Sequence, residues 1–348
     1  MTDLRARVLR TLRNPKLVNS IGLGLVALVG VWLVVNFIKG PQEFVNVALD
    51  GLTRGSIYGV VALGYTLVYG ILQLINFAHG DVFALTGLFA STLIVSHFNL
   101  NSGDPATTIV LGLGATFLIC MAFGAIVNSS IEFLAYRRLR SAPRLAVLIT
   151  AVGMSFIIQN ISLAVFGVNF RSVPPLISNH DVLGIGGVQY GWDALFVVLV
   201  TAPVLVLLSW LVKSTRHGKA MRATAQDPEA SAMMGINVNR TITFTFALAG
   251  ALAGVGAVLF LVEFNIRYDT GFELGLIAFT AAVLGGIGNL TGAVLGAIII
   301  GMIQAFNEGP FIWAPGSDWT RSIVFAILIA ILVFRPEGLL GERTPEGG

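Results

Sequence analysis

Long apolar segments alternate with short polar breaks along almost the whole chain. Each segment is about 20 residues long, enough for a helix to cross roughly 30 Å of hydrocarbon. Ten of them can be distinguished, at 17–38, 44–68, 80–98, 107–131, 147–168, 193–212, 241–263, 273–288, 291–308 and 320–335. The pattern predicts an all-α, polytopic transmembrane helical bundle with about ten crossings.

The first apolar segment follows five basic residues, a pattern that secretory signal peptides share. However, segment 17–38 ends in Lys39, Gly40 and Pro41 without a small-x-small cleavage site. We therefore predict that it is retained as an extra N-terminal helix that anchors the chain in the membrane.

Composition agrees with a membrane protein. Of the 348 residues 55% are hydrophobic and only 11% are charged, and the mean hydropathy is +0.85. A soluble protein of this length needs more polar side chains to cover its surface, so 1–348 is predicted to be a single transmembrane domain. No basic cluster is interleaved with aromatic residues, which argues against nucleic-acid binding. The single cysteine, Cys120, lies in an apolar run and cannot form an internal disulfide.

The basic residues predict the orientation of the bundle. If the N-terminus is cytoplasmic, 16 Lys and Arg residues fall on inside segments: five in the N-terminal tail, four in 137–144, five in 213–240, and Arg335 and Arg343. Four fall outside, namely Lys39, Arg171, Arg267 and Arg321. This bias follows the positive-inside rule and predicts that both termini are cytoplasmic.

Two inside turns, 70–80 and 285–292, contain no Lys or Arg and are rich in glycine and small polar residues. Irregular backbone survives at membrane depth only where it is buried in protein or lines a wet cavity, so broken or re-entrant helices are expected there. The candidate residues of a translocation path are Asn76, Phe77, His79, Gly80, Asp81, Gly285, Gly286, Gly288 and Asn289. The alternative is that these polar groups only satisfy the backbone of a broken helix. A metal site or a catalytic role for His79 lacks the necessary partner residues.

The longest inside segment, 213–240, contains the signals of a short helix. Asp227 suits the N-cap, Pro228 the first helical position, Glu229 the first turn and Gly235 the stop. We predict about two turns lying across the membrane face, with Ala230, Met233 and Met234 on the apolar side. Such a helix can be a plain connector, or a coupling helix that docks on a soluble motor protein.

Spacing along the predicted helices indicates two packing features. Asp50 and Arg54 are four residues apart and can form an ion pair. Glycines recur every four residues at 51, 55 and 59, at 250 and 254, and at 288, 292 and 296, and such faces let helix backbones approach closely. The approach can be within one subunit or between subunits.

Several long segments together resemble the LivH-type permeases of branched-chain amino acid ABC importers. They are GLTRGSIYGVVALGYTLVYGILQLINFAHGD (51–81), RLAVLITAVGMSFIIQN (144–160), GKAMRATAQDPEASAMMGINVNR (218–240), AFTAAVLGGIGNLTGAVLGA (278–297) and RPEGLLG (335–341). They occur in the family's order and cover nearly everything after Phe44.

The resemblance implies a bacterial inner-membrane location and a set of partners. These are a second homologous permease, two ABC ATPase subunits, a periplasmic or lipid-anchored solute-binding protein and membrane lipid. ATP and Mg²⁺ would bind the ATPases, and this chain would carry no cofactor. Residues 222–236 lie where such permeases carry their EAA loop, with Ala225-Gln226-Asp227 in place of Glu-Ala-Ala. The implied ATPase contacts are Arg222, Ala223, Ala225, Asp227, Glu229, Ala230, Gly235 and Ile236.

The expected function is therefore a non-enzymatic permease that moves leucine, isoleucine or valine inward by alternating access. No GxxxxGK[ST] motif occurs, so ATP is expected to bind a partner. An importer for urea or short amides is the alternative within the resemblance. An ion-coupled secondary transporter would need paired buried carboxylates, and a membrane-embedded enzyme would need a catalytic motif; neither pattern is evident in the sequence.

Overall fold

The computed structural model describes residues 15–74, 76–140, 142–182, 184, 187–335 and 337–341. Most of the basic N-terminal tail and Arg343 lie outside this range, so their predicted positions stay predictions. The helices are α1 (Pro15–Lys39), α2 (Pro41–Leu72), α3 (Ala78–Thr92), α4 (Ala106–Ile131), α5 (Arg144–Phe166), α6 (Trp192–Ser214), α7 (Arg216–Gln226), α8 (Pro228–Met233), α9 (Val238–Glu263), α10 (Thr270–Gly285), α11 (Leu290–Glu308) and α12 (Thr320–Phe334).

The prediction of an all-α bundle with about ten crossings is confirmed. Over the described residues eight helices are long and apolar enough to span a membrane, and two shorter apolar helices, 27–39 within α1 and α10, account for the other predicted segments. Helix α3 continues through a π-helical turn, Leu93–His97, and α4 through another, Glu132–Tyr136. In the part of the chain that the structure describes there is no β-strand beyond two isolated bridges.

The helices form a buried centre and an exposed periphery. The spans of α2, α3 and α9 are 83%, 78% and 78% buried, whereas those of α4, α5, α6 and α12 are only 22%, 28%, 17% and 11% buried. The exposed surfaces of the peripheral helices are mostly aliphatic and aromatic, the surface that lipid or another membrane protein covers.

Glycine lets the central helices approach one another at backbone distance. A Cβ on Gly55 of α2 would lie 2.6 Å from the Ile298 Cα of α11, and one on Gly254 of α9 would lie 2.4 Å from the Cys120 carbonyl oxygen of α4. A side chain at either position would overlap backbone atoms. The predicted glycine faces of these helices therefore pack within one subunit.

The two ends of the bundle differ in charge, and we name them accordingly. The basic end carries residues 137–143 and 213–240, and the opposite end carries the turns that follow α3, α5, α9 and α11. At the opposite end the predicted Asp50–Arg54 pair is confirmed, with Nε 2.9 Å from Oδ2, and Arg54 also contacts Glu308. The extra helix α1 is attached at the same end, where the Trp32 indole donates to the Ile312 carbonyl at 2.7 Å.

Helix α3 begins inside the bundle. Gly80, its third residue, packs against Gly271 and Gly275 in the first two turns of α10, and α10 starts at the opposite end. With 16 residues, α10 is only about 24 Å long, shorter than a hydrocarbon core of about 30 Å. Because α3 begins beside α10 and not beyond one of its ends, the backbone break before α3 lies at membrane depth.

Candidate functional site

The first break, residues 73–77, separates α2 from α3. Helix α2 ends at Leu72, and Gln73 adopts a left-handed conformation with φ 52° while its N–H donates to the Tyr69 carbonyl at 2.7 Å. Positive φ is uncommon for residues other than glycine, and here it turns the chain into the bundle. Four of the five predicted path residues in this region are buried, and Phe77 is half-buried beside Phe279.

Asn76 joins the break to α4 and α9 by side-chain hydrogen bonds. The Tyr136 hydroxyl donates to Asn76 Oδ1 at 3.0 Å, and Asn76 Nδ2 lies 3.5 Å from Asn128 Oδ1. Asn128 in turn donates to the Phe246 carbonyl at 2.7 Å. All three side chains are buried, so the network holds the break to its surroundings.

His79 is fully buried and lies on the backbone of α2. A Cβ on Gly64 would be 2.2 Å from His79 Nε2, so only glycine leaves room for the imidazole. The Tyr65 ring meets the imidazole edge to face at 4.8 Å, and the Tyr65 hydroxyl accepts from the Gly80 N–H at 3.2 Å. Neither imidazole nitrogen has a partner with full hydrogen-bond geometry within the described residues, although the Val61 backbone of α2 lies within reach of the ring. An unsatisfied buried polar group costs about 1–3 kcal/mol.

Asp81 contacts α5, whereas Asn76 contacts α4 and His79 contacts α2. The Asp81 carboxylate accepts hydrogen bonds from the Ser155 hydroxyl and from Gln159 Nε2, the latter at 3.0 Å. Its side chain is 1% exposed, and no Lys or Arg of the described residues forms an ion pair with it. Asn76, His79 and Asp81 thus contact three different sets of partners, and in the described part of the chain no group of His, Cys, Asp and Glu is arranged to hold a metal.

The second break, between α10 and α11, is closed by backbone contacts. Gly286 and Gly288 have φ of 105° and 97°, and Asn289 caps α11 by accepting from the Gly292 N–H at 3.0 Å. Gly285 packs against Gly292 so closely that a Cβ would lie 1.9 Å from the Gly292 carbonyl oxygen. Gly288 alone of these residues is exposed, with open space where a Cβ would be.

The end of the chain folds back over this second break. The Leu339 N–H donates to the Leu284 carbonyl at 2.8 Å, and the Leu340 N–H donates to the Gly285 carbonyl at 3.0 Å. Asn289 Nδ2 donates to the Leu340 carbonyl at 2.9 Å. We call residues 337–341 the tail clasp, because they bind both α10 and the cap of α11.

The predicted short helix of the basic end is confirmed as α8. The Asp227 carboxylate accepts from the Glu229 and Ala230 N–H groups, both at 2.9 Å, and Pro228 begins the helix. Gly235 follows with φ 84°, a left-handed ending that suits glycine. A Cβ there would meet nothing within 4 Å, so the constraint lies in the backbone rather than in space.

Helix α7, which precedes α8, was not predicted. Thr215 caps it by accepting from the Gly218 N–H at 3.1 Å. Exposed Arg222 of α7 donates to the Val212 and Lys213 carbonyls at the end of α6, so it fixes α7 to a spanning helix. The coupling residues predicted from the resemblance are thus distributed over α7, α8 and the residues that flank α8.

The apolar side of α8 faces away from the protein. Met233 and Met234 are each 83% exposed, whereas Ser231 is the buried residue of α8. Glu229 and Gly235 are exposed as well, and Ala223, Ala225, Ala230 and Ile236 are partly exposed. Two adjacent exposed methionines at the end of α8 form an apolar surface that no other described residue covers.

A cavity that the sequence did not predict lies between α5, α10 and α12 near the opposite end. Its volume is about 400 Å³. Arg321 of α12 binds Glu273 of α10 through two hydrogen bonds of 2.7 and 2.8 Å, and Gln159 of α5 connects the cavity to buried Asp81. We call it the mixed-charge cavity. Its residues come from helices far apart in the chain, so no local pattern indicated it.

A family model and several transport permeases match most of this chain. The family model described as branched-chain amino acid transport system / permease component matches residues 47–332. The permease protein BraD of the high-affinity branched-chain amino acid transport system of Pseudomonas aeruginosa is 37% identical over 88% of this chain and 97% of its own length. LivH of the corresponding Escherichia coli system is 35% identical over 87% of this chain and 97% of its own. The E. coli ribose import permease protein RbsC is 24% identical over 89% and 92%.

Proposed function

Because the chain belongs to the family of permease components of branched-chain amino acid transport systems, we propose that it carries leucine, isoleucine or valine across the bacterial inner membrane into the cytoplasm. It is a multi-pass membrane protein of an ABC importer. The single observation that supports an ATP-driven mechanism is the exposed Met233–Met234 surface on α8 at the basic end.

The work of ATP hydrolysis belongs to partner chains in this proposal. Two ABC ATPases bind ATP and Mg²⁺, a second homologous permease completes the membrane domain, and a solute-binding protein delivers the amino acid. Helices α7 and α8 transmit the motion. Asp227 caps α8, and Arg222 ties α7 to the end of α6, so force on α8 reaches a spanning helix through short connections.

The apolar surface of α8 suits a groove on a soluble ATPase. Amphipathic helices commonly bind partners by laying an apolar face in a groove, and methionine adapts its shape to such a surface. Met233 and Met234 supply that face, and the flanking charges of Glu229 and Arg222 orient it. Burying the two methionines on binding removes apolar surface from water and stabilises the complex.

The solute route in this proposal includes the first break but not the second. Asn76, Phe77, His79, Gly80 and Asp81 lie where a spanning segment is interrupted inside the bundle. Their side chains are packed against neighbouring helices here, as expected for a closed conformation. The two unsatisfied nitrogens of His79 favour an opening that hydrates them. Gly285, Gly286 and Asn289 instead form a fixed joint that the tail clasp holds, and Gly288 is exposed beside it.

Uptake of labelled leucine by proteoliposomes tests the proposal. The vesicles contain the complete importer and its binding protein, with and without enclosed ATP. We expect leucine uptake only with ATP. ATP-dependent uptake of urea or ribose in place of leucine would overturn the solute assignment, and uptake driven by a proton or sodium gradient without ATP would overturn the importer mechanism.

Substitutions on α8 test the coupling. Met233→Glu with Met234→Glu places charges on the proposed docking surface, and both side chains point to solvent, so folding is preserved. We expect ATP-dependent uptake to fall by about tenfold or more, equivalent to at least about 1.4 kcal/mol of lost association, and the ATPase no longer to co-purify. Lys219→Gln, an exposed change on α7 outside the predicted contact set, is the matched control. Normal co-purification of the double variant would contradict the docking role.

A further inference from the structure

We propose that the mixed-charge cavity between α5, α10 and α12 binds the zwitterionic head and the aliphatic side chain of the transported amino acid. The inference rests on the proposed function, which supplies the solute class. The cavity volume of about 400 Å³ lies within the range of roughly 300–1,000 Å³ that small-molecule sites occupy.

Arg321, Asp269 and Glu273 line the cavity, and Arg267 lies outside its lining but binds Asp269 through two hydrogen bonds of 2.6 Å. Arg321 binds Glu273, so the four charges sum to zero when Arg267 is counted with its partner. Hydrogen bonding to Asp269 raises the pKa of Arg267 above its usual range, so the guanidinium stays charged at neutral pH. A cluster of two cations and two anions favours a solute with one charge of each sign over an anion or a cation.

Free hydrogen-bonding groups remain for both ends of a zwitterion. Arg321 uses Nε and Nη2 for Glu273, and within the described residues Nη1 makes no hydrogen bond, so it can donate to a carboxylate. The carboxylates of Glu273 and Asp269 retain lone pairs for an ammonium group. Gln159 uses its amide N–H₂ on Asp81, which leaves its carbonyl oxygen as a further acceptor.

The remaining wall is apolar and matches an aliphatic side chain. Phe272 and Leu276 of α10 and Phe325 of α12 line the cavity beside the charged groups. A branched aliphatic side chain placed against them removes apolar surface from water, which contributes about 25 cal/mol per Å² buried. The cavity thus combines the two features by which leucine differs from a sugar or urea.

A second cavity at the same end has the opposite character. Its volume is about 530 Å³, and Asp50, Asp181, Asp193 and Glu263 line it. No Lys or Arg is among its described lining residues, although Arg54 binds Asp50 from outside the lining. Four carboxylates with one guanidinium leave an excess of negative charge that repels the carboxylate of an amino acid, so charge balance favours the mixed-charge cavity.

Helix α5, which flanks the mixed-charge cavity, is exposed but less apolar than two other peripheral helices. Its mean hydropathy is 1.8, against 2.4 for α4 and 2.7 for α6. Asn160 of α5 is exposed, and its side-chain N–H₂ donates to the Phe156 carbonyl of the same helix. An exposed surface of lower hydropathy with a polar side chain fits a water-filled route or another permease better than lipid.

Gln159 gives the cavity a connection to the first break. It lines the cavity and donates to Asp81, and Asp81 is the fourth residue of α3. If the ammonium group of the solute displaces the Gln159 amide, it can bind the Asp81 carboxylate, which has no Lys or Arg partner among the described residues. The route then leads from the mixed-charge cavity past Gln159 and Asp81 to the break.

Protection of an introduced cysteine tests the site without the binding protein. Phe325→Cys lies in the wall of the cavity, and Ile329→Cys lies one turn further along α12, where it is exposed but outside the cavity. The native Cys120 is buried, so the unsubstituted chain gives the background. The assembled permease–ATPase complex is labelled with a maleimide in the presence of leucine, leucinamide or 4-methylpentanoate.

We expect leucine at ten times its dissociation constant to slow labelling of Phe325→Cys by about tenfold and to leave Ile329→Cys unchanged. Leucinamide lacks the carboxylate and 4-methylpentanoate lacks the ammonium, so neither protects at that concentration. Equal protection at both positions, protection at neither, or equal protection by leucinamide would overturn the proposal.

Charge variants separate a ligand site from a structural ion pair. Arg321→Gln in the Phe325→Cys chain should raise the leucine concentration needed for protection by about tenfold. Arg171→Gln should not, because among the described residues the Arg171 side chain contacts Phe166, through its carbonyl and its ring, and lies outside the cavity. Arg321→Glu combined with Glu273→Arg restores the ion pair but exchanges the two contacts, so protection should stay weak. Full protection by the exchanged pair would show that the pair serves folding only.

The outcome is distinguishable from failure of the proposed function. If the unsubstituted importer takes up leucine with ATP but leucine never protects Phe325→Cys, the cavity proposal fails alone. If the importer takes up another solute and leucine does not protect, the proposed solute class fails first.

Discussion

The two breaks in the bundle resemble each other in sequence but differ in what holds them. Residues 73–77 are held by side chains, in the chain of hydrogen bonds from Tyr136 to Asn76 and towards Asn128. Residues 286–289 are held by backbone atoms and by the tail clasp, which binds Leu284 and Gly285 through main-chain hydrogen bonds. Glycine and small polar residues therefore mark a break at membrane depth without revealing whether it moves.

This difference indicates that the first break moves during transport and that the second stays rigid. Side-chain hydrogen bonds can be exchanged for water or solute one at a time, and the first break contains the unsatisfied imidazole of His79 and the unpaired carboxylate of Asp81. Close backbone contacts such as Gly285 on Gly292 have no alternative partner. We therefore expect changes at the first break to affect transport and changes at the second to affect folding.

The largest effect is expected from Gly285→Val. The new Cβ would lie 1.9 Å from the Gly292 carbonyl oxygen, and both groups belong to helix backbones that cannot yield locally. We expect the chain to fail to accumulate in the membrane, measured by quantitative immunoblotting of washed membranes. Gly114→Val on α4, where a Cβ meets nothing within 4 Å, is the control. Normal accumulation of Gly285→Val would remove the argument for a rigid joint.

Asp81→Asn should leave the protein folded and lower transport. The substitution keeps the side-chain shape but removes the charge that attracts an ammonium group. We expect ATP-dependent leucine uptake, normalised to the amount of assembled importer, to fall by about tenfold. This corresponds to an activation barrier for transport that is higher by about 1.4 kcal/mol. Unchanged uptake would place the solute route elsewhere.

Asn289→Ala should lower stability and leave transport unchanged, the opposite of the result expected for Asp81→Asn. It removes the α11 cap and the bond to the tail clasp, so we expect the free energy of unfolding to fall by about 1–2 kcal/mol. The thermal midpoint of the purified protein in detergent measures the loss. Asn237→Ala removes only an N-cap, on α9, and its smaller shift isolates the clasp. Equal shifts for the two variants would mean that the clasp adds nothing.

His79→Leu should produce the smallest change in stability, and with the opposite sign. Leucine fills a similar volume and has no ring nitrogen that lacks a well-formed hydrogen bond, so we expect the free energy of unfolding to rise by at most about 1 kcal/mol, with a higher thermal midpoint. Uptake per assembled importer should fall, because the imidazole is no longer available to hydrated conformations. A lower midpoint would indicate that the imidazole has a stabilising role in the closed protein.

The sequence predicted those features that depend on neighbouring residues. The ten apolar segments match the helices closely, and Asp227, Pro228 and Gly235 delimit α8 as expected from local capping chemistry. Helix α7 escaped prediction because its residues, RHGKAMRATAQ, contain no apolar run, and its cap, Thr215, is an inconspicuous residue of the basic segment.

What the sequence could not predict depends on which helices meet. The charged and polar residues that it singled out near 76–81 do not converge, because Asn76 bonds to α4 and Asp81 to α5. Gln159 and Arg321 are unremarkable in their own helices and become a candidate site only when α5 and α12 flank the same cavity. The role of the residues at both breaks in translocation stays a prediction.

Hydrogen–deuterium exchange of the assembled importer tests the division of work between the two breaks most directly. Exchange is compared with ATP and a hydrolysis-blocking analogue against no nucleotide, because opening exposes backbone N–H groups to exchange. We predict faster exchange in peptides covering 73–81 when the nucleotide state changes, with no change across 285–292 and 337–341. Equal changes at both breaks, or a change confined to the second, would contradict the account.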